Sequence, residues 1–180
     1  DKDLTASDGS TVAKGNASFL TALSALSSTS STTFKTNQPL DVVMVLDASG
    51  SMDDPMGNGD QTKRIDALKT AANSFIEKIA KENKNISDAA KQHQVSLVKF
   101  AGASTDMVGN DTYTSLGFRY NFSQVMKTLA PCTEDTKGSF TDLIGGIKPA
   151  GSTRADFGLN HAKGQLQSQG REGAKKVVVF

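Results

Sequence analysis

The segment Asp47-Ala48-Ser49-Gly50-Ser51-Met52 sets one carboxylate and two hydroxyls on alternate residues of a short stretch. All three donors are oxygens, and oxygen-only sets suit hard divalent cations: octahedral oxygen sites favour Mg2+ or Mn2+, and more flexible ones accept Ca2+. Alternate residues of a tight turn aim at one point. The same residue types also close turns and cap helices by accepting backbone N–H bonds, so the residues alone leave two readings open, an ion site and a plain cap.

The elements around this segment say where it sits. Leu40-Asp41-Val42-Val43-Met44-Val45-Leu46 is a nearly continuous run of β-forming apolar residues, the pattern of a strand buried on both faces at the centre of a sheet. After a loop holding Pro55, Gly57 and Gly59, the positions Ile65, Leu68, Ala72, Phe75, Ile76 and Ile79 recur at helical spacing. Val95 to Phe100 reads as a second buried strand, followed by an edge strand near Asp111 to Tyr120. Two short helices are expected next, one on Phe122, Val125, Met126 and Leu129, the other on Phe140, Leu143, Ile144 and Ile147, with Pro131 and Pro149 as stops. The loop Pro149 to Thr153 leads into a helix with Ala155, Leu159, Ala162 and Leu166 on one face, and Val177 to Phe180 begins another buried strand. Strands alternating with helices imply an α/β fold with a doubly wound, mostly parallel sheet flanked by helices. Ligands of such sheets bind beyond the carboxyl ends of the strands, where strand order reverses. The loop after Leu46 is such a place. Residues 1–39, rich in Ser, Thr, Ala and Gly, read as an extended N-terminal arm with a Ser/Thr-rich loop, and residues 40–180 as the domain proper.

Asp-x-Ser-x-Ser preceded by Val-Val-Met-Val-Leu resembles the metal-ion-dependent adhesion site (MIDAS) of the von Willebrand factor type A family, whose fold is the doubly wound sheet just described. The string Gly151-Ser152-Thr153-Arg154-Ala155-Asp156-Phe157-Gly158-Leu159 looks like that family's second metal-binding loop. The resemblance implies Asp47, Ser49, Ser51 and Thr153 as the metal set, with Mg2+ as the ion and Mn2+ or Ca2+ as substitutes. Met52, Asp53 and Arg154 then form the ligand-binding rim. Neutral hydroxyl ligands leave the ion most of its charge, so an acidic group of a protein or extracellular-matrix partner completes its sphere. The family carries a further Asp just after the strand that Val177 opens. No counterpart stands before Phe180, so the domain reads as truncated at its C-terminal end, with the remainder expected as a second chain that supplies the Asp.

Within the family, the wording of Pro39 to Met52, Thr62 to Lys69 and Arg171 to Phe180 is most similar to tip adhesins of Gram-positive sortase-assembled pili. That implies a secreted, cell wall-anchored virulence protein at the bacterial surface, with pilus backbone subunits as neighbours. The alternative is an intracellular type A domain serving as the assembly module of a larger metal- or ATP-dependent machine.

The remaining features narrow the classes. With 20 basic against 19 acidic residues, a net charge of +1 gives no electrostatic case for nucleic acid or a membrane surface. No apolar run approaches the roughly 20 residues that span a bilayer, so membrane insertion is not expected. The first residues do not read as a signal peptide, and the chain is expected to be a mature or trimmed form. An enzyme is not expected: Ser49 and Ser51 lack a Gly-x-Ser-x-Gly setting, neither His93 nor His161 stands in a triad motif, and no Gly-Lys-Ser/Thr follows the glycines. His93 and His161 read as surface or packing residues, Cys132 as a plain free thiol, Asp54 as rim, and Asp156 as a cap or loop support.

Overall fold

The computed structural model describes residues 38–102, 112–115 and 118–180. Most of the N-terminal arm therefore lies outside the described residues. Strand β1 (Leu40–Asp47) carries the apolar run, and its alternation divides the core. Val42, Met44 and Leu46 face one side of the sheet, Val43 and Val45 the other. Burying a side chain of this size stabilises the fold by about 1.5–3 kcal/mol, which makes a centre-sheet position the natural place for the run.

Apolar along one stripe, helix α1 (Arg64–Asn83) buries Ile65, Ala72, Ile76 and Ile79 against the first face, as their spacing predicts, and Ala80 beside them. It follows a hairpin of β2 (Pro55–Gly57) and β3 (Asp60–Lys63), where a loop was expected. Asn58 at φ 53 and Gly59 at φ 88 form its turn, and this Asn-Gly pair is the hairpin signal in the sequence. Strand β4 (Gln94–Phe100) runs parallel to β1 from Asp41↔Gln94 to Asp47↔Phe100.

Two corrections concern the middle of the chain. Thr112 to Asn121 is not a strand at the sheet edge but a separate hairpin of β5 (Thr112–Ser115) and β6 (Phe118–Asn121). The helix expected on Phe122 to Leu129 is strand β7 (Gln124–Pro131), antiparallel to β4. Val125 and Leu129 are four apart, a spacing that shares one face in a helix and in a strand alike. Met126 and Ala130 pack on the α1 side of the sheet, Val125 and Leu129 on the opposite side. Pairing with β4 settles what periodicity left degenerate.

Helix α2 (Lys137–Gly145) buries Phe140 and Ile144 beside α1, as expected. Helix α3 (Ala155–Gln169) covers the other face with Gly158, Ala162 and Leu166, whereas Leu159, expected on that face, is 46% exposed. Position 158 takes its place because the helix axis lies close to the sheet: a Cβ on Gly158 would stand 2.8 Å from Val45 and 2.9 Å from Phe100. Strand β8 (Lys175–Val179) pairs in parallel with β1, giving the order β7-β4-β1-β8. Strand order thus reverses at β1, and its carboxyl end, at Asp47, is the switch point.

The opposite end of the sheet is held by buried polar groups. Asp41, fully buried, accepts from the Arg171 backbone N–H at 2.6 Å and from its Nε at 2.8 Å, while the same guanidinium donates to the carbonyls of Ala90 and Leu40. Asn83 joins α1, β4 and β7: its amide donates to the carbonyls of His93 and Cys132, and its Oδ1 accepts from the His93 N–H. His93 is a packing residue, as expected. Its Nδ1 accepts from the Leu40 N–H at 3.1 Å, and burial pulls its pKa below the ordinary value. Cys132 is buried, and burial pushes its thiol up to about 11, which suits an inert side chain.

Candidate metal centre

At the carboxyl end of β1 the chain turns sharply, and three of the named donors meet. Asp47 Oδ1 accepts from the Ser49 N–H at 2.8 Å, and the hydroxyls of Ser49 and Ser51 lie 3.3 Å apart. Gly50–Asp53 forms a single 3-10 turn that lifts Ser51 to the surface, while Ser49 beneath it is only 1% exposed. The cap reading is satisfied in part, because Asp47 does close the turn. It leaves the convergence of two hydroxyls unexplained, since the Ser49 side chain makes no cap bond to that turn.

The loop 149–153 is laced to this turn by backbone bonds. Ala150 N–H donates to Ala48 at 2.9 Å, and Gly50 N–H to Gly151, also at 2.9 Å. On its other side the loop is bridged to the end of β4: Gly102 N–H donates to Ser152 at 2.6 Å, and Ser152 N–H donates back to Gly102. So close an approach needs glycine at 151. Its φ is 76°, and a Cβ there would collide with the Gly102 carbonyl and touch Phe122. Thr153 follows directly and is exposed. The structure therefore brings Asp47, Ser49 and Ser51 into direct contact, and brings Thr153 to the same sheet end through its neighbours, without a hydrogen bond to that trio among the described residues.

The three rim residues have distinct surroundings. Met52 is half-buried against the core below α1. Asp53 is exposed and paired with Lys63 at 2.8 Å, and Asp54 stands 3.8 Å from Arg64, whose guanidinium also donates to the Ser51 carbonyl at 3.3 Å. These contacts tie the β2–β3 hairpin to the motif turn, although exposed pairs of this kind stabilise little. Arg154 makes two bonds to Asp156, at 2.9 and 2.8 Å, and its guanidinium lies 4.0 Å from the centre of the Phe157 ring. That partner holds the Asp156 carboxyl below its ordinary pKa. Asp156 is the loop support the sequence led us to expect.

Sequence reasoning passed over Asp41 and Lys99. Each was counted within a strand for its position, although a charged residue inside an apolar run is itself a signal.

No protein-family model matches the sequence, and no curated protein is found similar to it. Solved structures do match. The adhesive tip pilin GBS104 from Group B Streptococcus agalactiae aligns at TM-score 0.54 and 21% identity, over 78% of this chain and 44% of that one. The vWF domain of the type V pili tip protein Mfa5 from Porphyromonas gingivalis aligns at 0.53 and 17%, over 78% and 36%. A von Willebrand factor type A protein from Catenulispora acidiphila aligns at 0.52 and 16%, over 78% and 25%. The fold is that of a von Willebrand factor type A domain. The chain spans less than half the length of each of these structures, and identities this low speak to the fold alone.

The donor set fits a hard divalent ion. One carboxylate and three hydroxyls are all oxygen, and two of the hydroxyls converge. Among the described residues no three His, Cys, Asp or Glu side chains gather as a metal cluster.

Proposed function

We propose that this chain is a metal-ion-dependent adhesion module, a binding rather than a catalytic domain, and part of a pilus tip adhesin at the bacterial cell surface. The observation that carries the reading is the convergence of the Ser49 and Ser51 hydroxyls above Asp47, on a turn laced to the loop that presents Thr153. Ser49, Ser51 and Thr153 would hold Mg2+ by their hydroxyls, with Asp47 supporting from below through the turn it closes. The bound ion supplies an electrophilic point for an acidic group of a protein or matrix partner. Neutral ligands leave it that capacity. Met52, Asp53 and Arg154 border the point of contact. The pilus assignment is supported by two of the matching structures, an adhesive tip pilin and a pili tip protein.

The test is adhesion of the full-length protein to immobilised matrix proteins in Mg2+ and in EDTA. Binding restored by Mg2+ or Mn2+ after chelation is expected. Adhesion indifferent to chelation would remove the metal from the reading.

A further inference from the structure

Strand β4 sends Val95 and Leu97 into the core beneath α1 and α2. Lys99 continues that alternation, beside Leu46 of β1 and opposite Gln124 of β7, and only 8% of it is exposed. An ammonium buried in apolar surroundings is costly unless a partner compensates it. Among the described residues the Lys99 ammonium has no hydrogen bond and no ion pair. Burial alone holds its ammonium down to about 8, with no neighbouring charge contributing.

The side chain instead lines an open cleft of ≈ 370 Å³ between β7 and the carboxyl end of α2. Its apolar wall is made by Met126, Leu143 and Ile147, next to the polar Gln124, and Asp142 stands on the lining without pairing to the lysine. The volume is at the low end of small-molecule sites, which run from about 300 to 1,000 Å³. A single carboxylate would supply the counter-charge that Lys99 lacks, and a compact apolar body would cover the wall. The Asp142 carboxylate disfavours a second negative charge. Lys69 lies nearby at the end of α2, where it donates to the Gly145 carbonyl, and burial, followed by the charge of Lys148, pulls its pKa below the ordinary value. Neither lines the cleft.

We propose that this cleft is a second binding site, independent of the metal centre, that takes a small monocarboxylate with its carboxylate on Lys99 Nζ and its apolar body against Met126, Leu143 and Ile147. The probe is hexanoate, titrated into the isotope-labelled chain with amide shifts recorded, beside hexanol of matching shape and glutarate with a second carboxylate. Saturable shifts at Met126, Leu143 and Ile147 are expected with hexanoate, with hexanol and glutarate at least tenfold weaker. Lys99→Met keeps the bulk and removes the charge, and is expected to erase the preference for hexanoate over hexanol. Leu143→Glu puts an anion at the 36% exposed edge of the cleft and leaves the core alone. It is expected to weaken hexanoate at least tenfold, so the proposal remains testable if Lys99→Met fails to fold. An unshifted cleft, equal binding of hexanoate and hexanol, or an unaffected Leu143→Glu variant would overturn it.

Discussion

Ser51 is exposed on a surface turn, and its hydroxyl meets that of Ser49 rather than the core. Ser51→Ala is therefore expected to cost less than about 1 kcal/mol of stability, within the range of a single exposed hydrogen bond, while abolishing Mg2+-dependent binding. Calorimetric unfolding and metal titration on the same variant check both halves. His93 offers a test by pH. Its Nδ1 must be unprotonated to accept from Leu40, and its folded pKa lies below the ordinary 6.5. The stability it contributes is fully present above pH 6.5 and is lost as pH falls from there through the lower folded value, because the unfolded chain takes up the proton first. Denaturant midpoints at pH 7.5 and 5 should differ, and His93→Gln, which keeps an acceptor without titrating, should shrink the difference.

Among the elements, α3 against the sheet is the closest fit. A side chain at Gly158 has no room between Val45 and Phe100, so Gly158→Val should force the helix away from β1 and β4. Overpacking of this kind costs about 1–3 kcal/mol, measured as a shift of the urea midpoint at unchanged slope. A null effect would mean that the helix moves freely on the sheet. The expectation of Leu159 as a core residue failed for the same reason: helical spacing admits both 158 and 159, and only the distance between helix and sheet decides that the smaller residue faces in. Strand β7 failed similarly, since a four-residue spacing does not separate helix from strand.

Across the whole molecule, Asp41 and Arg171 join positions 130 residues apart and pin β8 to β1 at the end remote from the turn at Asp47. Removing one partner of a buried pair strands the other, and Asp41→Ala is expected to cost about 3–5 kcal/mol, read from equilibrium denaturation. The double variant Asp41→Ala/Arg171→Ala should recover part of that loss. The sequence by itself determined the central strand, helix α1 and the layered α/β plan, because long apolar runs and helical periodicity are local properties of the chain, and its short turn motif named Asp47, Ser49 and Ser51 as candidate donors. It also placed Thr153 with Asp47, though only through resemblance. Tertiary structure alone decided that the loop 149–153 is bonded to the turn at Ala48 and Gly50, that Val125 to Leu129 extends rather than coils, and that Asp41 and Lys99 are buried charges, one clamped and one facing a cleft. Those outcomes depend on pairings between distant segments, whose hydrogen bonds and close approaches leave no periodic trace in either segment alone.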